Sequence, residues 1–140
     1  MKIQKLETLE QSIPLAAVKA HLRVDFSDED DVIRMYFTSA LSYIESVCKT
    51  VLERSRFTAI GSQFDLCFKC YPDPEITRVF YKDGAGETRD IENFDILNGC
   101  LSLSEPSDIL SATVEFTAGY EEPPQYLIHA VLMLTSSFYE

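Results

Sequence analysis

Basic side chains are scarce in this sequence. Twelve lysines and arginines stand against 23 aspartates and glutamates, for a formal net charge of −11. A surface of that sign repels phosphate, which argues against sequence-independent nucleic-acid binding and against docking on anionic lipid. Two uses remain: solubility, or a wall past which DNA slides without sticking. Composition does not separate them. Histidine is scarcer still. Only His21 and His129 occur, each on a predicted helix among apolar neighbours, where the ordinary reading is a partly buried structural residue. The chain also lacks Gly-x-Ser-x-Gly, His-Glu-x-x-His, a phosphate loop and Gly-x-Gly-x-x-Gly. Gly84-Ala85-Gly86 comes nearest to a glycine-rich loop, without the third glycine or the helix that would follow it. Carboxylate pairs abound from composition alone, so none marks an acid–base site. No enzyme, cofactor or metal is expected.

Long apolar runs are missing too. The longest, Ala130 to Leu134, is far short of a membrane span, and Met1-Lys2-Ile3-Gln4-Lys5-Leu6-Glu7 has no signal-peptide core. A cytosolic protein with no membrane partner is expected. The four cysteines, Cys48, Cys67, Cys70 and Cys100, therefore carry no disulfide expectation. Cys67 and Cys70 have Cys-x-x-Cys spacing, but the alternation of Phe64 to Lys69 predicts a strand. There the two sulfurs point to opposite faces, and no second ligand pair stands nearby for zinc. Buried small apolar side chains are the expected role.

What the sequence does have is a mixture of periods. Its 140 residues suit a single domain, 1–140. Pro14 fits the first position of a short helix over about 13–22, with Ser12 or Ile13 as cap and Leu15, Val18 and Leu22 on one face. Asp25 to Asp31 is acidic, but calcium-loop spacing fails: the sixth position from Asp25 holds Asp30 rather than Gly, and the twelfth holds Tyr36 rather than Glu. Ser27 with Asp30 instead reads as a capping-box arrangement, with carboxylates on the positive end of a helix running over about 28–50. At about 100° per residue, Val32, Ile33, Tyr36, Phe37, Ala40, Leu41, Ile44, Val47, Cys48 and Val51 fall in one half of its wheel. The other face carries Met35, Thr38, Ser39, Ser42, Glu45, Ser46 and Lys49. Small hydroxyl residues there would let another backbone approach closely.

From about 54 to 117 the alternation is that of strands. Asp83-Gly84-Ala85-Gly86 and Asn98-Gly99 are hairpin turns between alternating runs. Pro123-Pro124 opens a last helix over about 124–139. Leu127, Val131, Leu134 and Phe138 make one row, while Tyr126 and Met133 lie on the other side. A helix apolar nearly all round is usually covered on both sides. The expected fold is α+β, mainly helical, with long helices framing a small antiparallel β insert. Subunit-contact candidates are Met35, Thr38, Ser39, Ser42, Ser46, Tyr126 and Met133. Asp28, Glu29, Asp30 and Asp31 form a candidate acidic surface.

Several segments taken in order carry a resemblance. They are Lys19-Ala20-His21-Leu22-Arg23-Val24-Asp25, the acidic cap with its long helix, the strand region, Phe116-Thr117-Ala118-Gly119-Tyr120, and the closing Phe138-Tyr139-Glu140. Together they resemble the head–tail connector family of tailed bacteriophages, also known as head-completion or DNA-packaging adaptor proteins. The resemblance implies a structural, non-enzymatic subunit of a closed homo-oligomeric ring, commonly a dodecamer, in the virion neck. It implies as partners the portal protein, the next head–tail joining or tail protein, and DNA only in passage through the channel. It implies assembly in the bacterial host cytoplasm. The alternative from a different class is a small acidic adaptor or regulator that binds a host or phage protein as monomer or dimer.

Overall fold

The computed structural model describes residues 1–11 and 13–140. Among these the chain builds β1 (Lys2–Thr8), α1 (Leu15–Leu22), α2 (Asp30–Cys48), β2 (Ser55–Gly61), β3 (Glu75–Lys82), β4 (Thr88–Ile91), β5 (Phe94–Leu97), β6 (Cys100–Leu103), β7 (Ser111–Ala118) and α3 (Gln125–Tyr139). Helix and strand take nearly equal shares, 30% and 31%. The expectation of a mainly helical fold is therefore wrong, for two reasons. The helices are shorter than their patterns suggested, and the strands are not an insert. β1 precedes every helix and joins the same sheet, whose order is β1-β2-β7-β3-β4, antiparallel throughout. β1 escapes a period-2 search because a bulge between Lys5 and Glu7 breaks its alternation.

Two separate hydrophobic clusters result. The first lies on one face of the sheet, where Phe57 and Ala59 of β2, Val79 of β3 and Val114 and Phe116 of β7 are buried. Phe64, Leu66 and Phe68 cover it, together with the β5–β6 hairpin. Phe116 stacks on Phe57 at 5.3 Å and meets Phe68 and Tyr71 edge-on at 5.1 and 5.5 Å. Its burial alone is worth about 2–3 kcal/mol. The second cluster holds the three helices together through Val18, Ile33, Ala40, Leu41, Leu127 and Val131.

Turn chemistry fits the observed turns. Asn98 and Gly99 have φ of 53° and 78°, the positive values a two-residue hairpin demands. Asp83 builds the β3–β4 turn by accepting from the amides of Ala85 and Glu87. Bonded also to Arg89, its carboxyl sits below the ordinary carboxylate range. Other local expectations fail. Phe64 to Lys69 alternates in burial but forms no strand, only a single antiparallel bridge between Cys67 and Cys100. These two cysteines are disulfide-bonded, and Cys67 is exposed rather than buried. Cys48 and Cys70 are exposed free thiols. Helix α2 begins at Asp30 with Glu29 at its N-cap and no side-chain cap, so the capping box from Ser27 does not form. Pro14 stands just before α1, and the cap expected at Ser12 lies outside the described residues.

The two clusters are joined where four chain segments cross. Arg54, buried just before β2, donates from Nη1 to the carbonyls of Asp73 (2.5 Å) and Gly119 (2.8 Å). Its own carbonyl accepts from the amides of Leu9 and Glu10. The Gly119 amide donates to Pro72 O, the Tyr120 amide to Val51 O, and the Glu121 amide to the Asp73 carboxylate. Gly119 has φ of 121°, and a Cβ there would lie 2.5 Å from Glu53 O. Only glycine tolerates both the dihedral and the approach. Gly119→Ala is expected to cost on the order of 3 kcal/mol or more. Arg54→Met, which leaves two carbonyls without their donor, is expected to cost roughly 2–4 kcal/mol. Urea unfolding followed by circular dichroism checks both. A loss under about 1 kcal/mol for either would remove the crossing from its structural role.

Candidate assembly surface

Helix α2 buries only Ile33, Ala40 and Leu41. Its inner side meets α3 and, less extensively, α1, so the covered arc is narrower than the half-wheel its pattern suggested. Val32, Val47 and Cys48, expected in the core, are exposed, the two valines at 42% and 61%. Met35, Ser39, Tyr43 and Ser46 are exposed with them. At about 100° per residue all of these except Cys48 form one outward stripe along α2, with Met35 and Tyr43 the largest groups on it; Cys48 is exposed at the helix end, off the stripe. On α3, Leu127, Val131 and Thr135 face the core, while Tyr126 and Met133 stand out at 71% and 56%. Among the described residues, seven of the thirteen exposed large hydrophobic side chains stand on these two helices, where the seven contact candidates were placed; Leu6, Leu9, Phe26, Ile60, Leu97 and Leu110 lie elsewhere.

Thr38 and Ser42 do something different. They line a groove of about 440 Å³ between α2 and the segment from β1 to α1, opposite Lys5, Thr8, Leu9, Ile13 and Leu15. Glu45 lies on the same wall. Its Oε2 accepts from the Leu52 amide at 2.8 Å. Burial pushes this carboxyl above its ordinary range, against the pull of the Leu52 hydrogen bond and the Lys5 ammonium, with Glu53 adding repulsion. Periodicity placed Glu45 on the face opposite the core; the chain closing over it from β1 was invisible to a helical wheel.

The four acidic candidates divide as well. Asp30 pairs with Lys19 at 2.7 Å, tying the start of α2 to α1. Glu29 accepts the Tyr139 hydroxyl, tying α2 to the end of α3 and holding that phenol above its usual range. Asp28 and Asp31 are exposed, and Asp31 has one long contact to Arg34 at 3.4 Å. His21 and His129, read singly in the sequence, meet as an edge-on pair across α1 and α3 with centroids 6.5 Å apart. Among the described residues no cluster of three His, Cys, Asp or Glu is placed to hold a metal ion. No described helix is long and apolar enough to cross a membrane.

The two helices thus present apolar and small hydroxyl side chains to the outside. Residues 12–74, covering α1, α2 and β2, match the model of the phage gp6-like head-tail connector protein family. No curated protein sequence matches the chain. Among solved structures, a chain in the virion of a native gene transfer agent particle superposes with a TM-score of 0.79 at 21% identity, covering 99% of this chain and 84% of that one. A chain in the neck of an empty gene transfer agent particle, computed with C6 symmetry, gives 0.74 at 20% identity, with 99% and 84% covered. One in the neck of the native particle, computed with C12 symmetry, gives 0.69 at 18% identity, with 99% and 83% covered. The connector resemblance read from the sequence is thus met by a family match over α1 and α2. The fold is shared over nearly the whole chain, including the sheet the sequence undervalued.

Glu45 generates a pH prediction. A carboxyl whose folded-state value is raised favours its protonated form in the fold. It therefore weighs against stability increasingly as pH climbs from the ordinary value of 4.5 through the raised one. Glu45→Gln, which keeps an acceptor for the Leu52 amide, is expected to flatten this fall. Denaturant unfolding near pH 4.5 and at neutral pH should show the variant gaining on the parent at the higher pH. Parallel pH profiles would contradict it.

Proposed function

We propose that this chain is a structural subunit of a head–tail connector in the neck of a phage-like particle, working by assembly and not by catalysis. The observation that carries the reading is the coincidence of the family match over α1 and α2 with a fold shared across 99% of the chain with neck and virion chains of gene transfer agent particles. The chain works in a closed ring. A ring requires two different patches of one subunit to meet. One is the outward helical surface with Met35, Ser39, Ser46, Tyr126 and Met133; Thr38 and Ser42 contribute through the groove they line. The β layer supplies the other.

Twelve copies is the number that fits the C12 symmetry used for one of the similar necks. The ring sits between the portal protein and the next joining or tail protein, and is built in the cytoplasm of the bacterial host. DNA crosses its channel without specific contacts. The net charge of −11 supports this reading, because like charge keeps phosphate from adhering. Asp28 and Asp31, exposed at the start of α2, are the members of the acidic cluster free to face a channel.

Ser39 lies in the middle of the outward stripe of α2, where a long cation would hold a neighbour away while disturbing nothing inside the subunit. In native mass spectrometry at high concentration, with portal protein added in a second series, the parent chain is expected to form rings. Ser39→Arg should stay monomeric with unchanged circular dichroism. Normal assembly of the variant would move the interface elsewhere. A parent chain that stays monomeric even with portal present would overturn the connector reading.

A further inference from the structure

The Cys-x-x-Cys stretch has no part in the assembly reading, yet the fold gives one of its cysteines a partner far away in sequence. Cys67 lies on the irregular segment that covers the sheet, and Cys100 opens β6. The Phe68 amide donates to Gly99 O and the Leu101 amide to Leu66 O, both at 2.8 Å. These bonds bracket the Cys67–Cys100 pair without joining it directly. It is thus the narrow, non-hydrogen-bonded kind of antiparallel pair, in which side chains stand closest. The Cα atoms are 3.9 Å apart.

Two further features matter. The bond is peripheral: Cys67 is exposed and Cys100 half-buried, while the buried side chains on either side, Phe64, Leu66 and Phe68, are held by packing. The segment therefore keeps its hydrogen bonds and its apolar anchors whether or not the sulfurs are joined. The bond also spans 33 residues, enclosing β3, β4 and β5, so closing it restrains a large part of the β layer.

We infer that Cys67 and Cys100 form a reversible redox clamp, open as a dithiol under reducing conditions and closed by exchange with a small disulfide such as oxidised glutathione. One cysteine thiolate attacks a sulfur of the small disulfide and expels a thiolate, leaving a mixed disulfide. The second cysteine thiolate displaces the remaining small thiol, and the protein S–S bond forms. Two electrons pass from the cysteines to the small disulfide, and the two thiol protons end on the two small thiols released. Solvent access to Cys67 permits the exchange. The clamp fastens the β5–β6 hairpin to the segment over the sheet core, and so stiffens the cover of the sheet. The inference rests on this geometry alone and stands whether or not the chain occupies a neck.

The test equilibrates the full chain over a series of reduced and oxidised glutathione ratios, traps free thiols by alkylation, and maps linked peptides by mass spectrometry. Cys70→Ser removes the competing nearby thiol, and Cys100→Ser is the variant that cannot close. The expected result is a Cys67–Cys100 linkage that appears as the ratio turns oxidising, persists in Cys70→Ser and reverses on reduction with unchanged far-ultraviolet circular dichroism. Amide exchange at Phe68 and Leu101 should slow by roughly tenfold or more on closure. A Cys67–Cys70 linkage, free thiols at every ratio, or a fold that collapses on reduction would each overturn the clamp.

Discussion

One buried guanidinium sits at the crossing that joins the two halves of this molecule. The fold has two clusters, a sheet covered on one face and three helices packed on themselves, and the Arg54 side chain lies at the backbone crossing that joins them. The helices do not lie across the sheet in the manner of most two-layer α+β folds. The junction is instead backbone crossing backbone, with residues 51–54 threaded against 72–73 and 119–121. Backbone carbonyls at a buried crossing need donors. A planar, permanently charged side chain that reaches two of them at once is suited to the position. Gly119 makes the crossing possible by having no side chain, and Arg54 makes it stable.

That junction bears on function because it fixes how the exposed helical surface is presented. A side chain on the outer stripe of α2 is useful for assembly only if the stripe keeps one orientation relative to the sheet that would carry the opposing contact. Glu45 adds a second tie at the same place, reaching from α2 to the Leu52 amide just before the crossing. Lys19 with Asp30, and Tyr139 with Glu29, fasten the far end of the helical layer. Several of the charged and polar groups that looked like surface features in the sequence are thus joints between elements. Along the outward stripe of α2, Met, Val, Tyr and Ser are what stay outside.

The sequence made some of this legible and hid the rest. Hairpins were plain, because Asn98-Gly99 and the turn after Asp83 have local chemistry that no tertiary contact overrides. The existence of three helices was plain from their periods. The balance between helix and sheet was not, since β1 carries a bulge that destroys its alternation and pairs with a strand some fifty residues later. The outward surface of α2 was half legible. Met35, Ser39 and Ser46 were placed on it from the wheel. Val32 and Val47 were assigned inward because hydrophobicity says only that a residue prefers cover, not which chain provides it. Phe116 to Tyr120 was noticed as a string of residues, and its reason, a glycine at a crossing, appeared only in three dimensions. The disulfide was rejected on compartment grounds; Cys70, the only near neighbour, was set aside because its sulfur would point away, and the strand hairpin that delivers Cys100 lies far along the chain.

The central claim is that copies of the chain, or its neighbours in the neck, cover the outer helical surface. Hydroxyl-radical footprinting reads this directly, because methionine and tyrosine are reactive and the surface carries Met35, Tyr43, Tyr126 and Met133. Oxidation of these four should be strong in the isolated subunit and fall sharply in assembled particles, while exposed residues elsewhere keep their reactivity. Equal oxidation of all four in the free and assembled states would contradict the account.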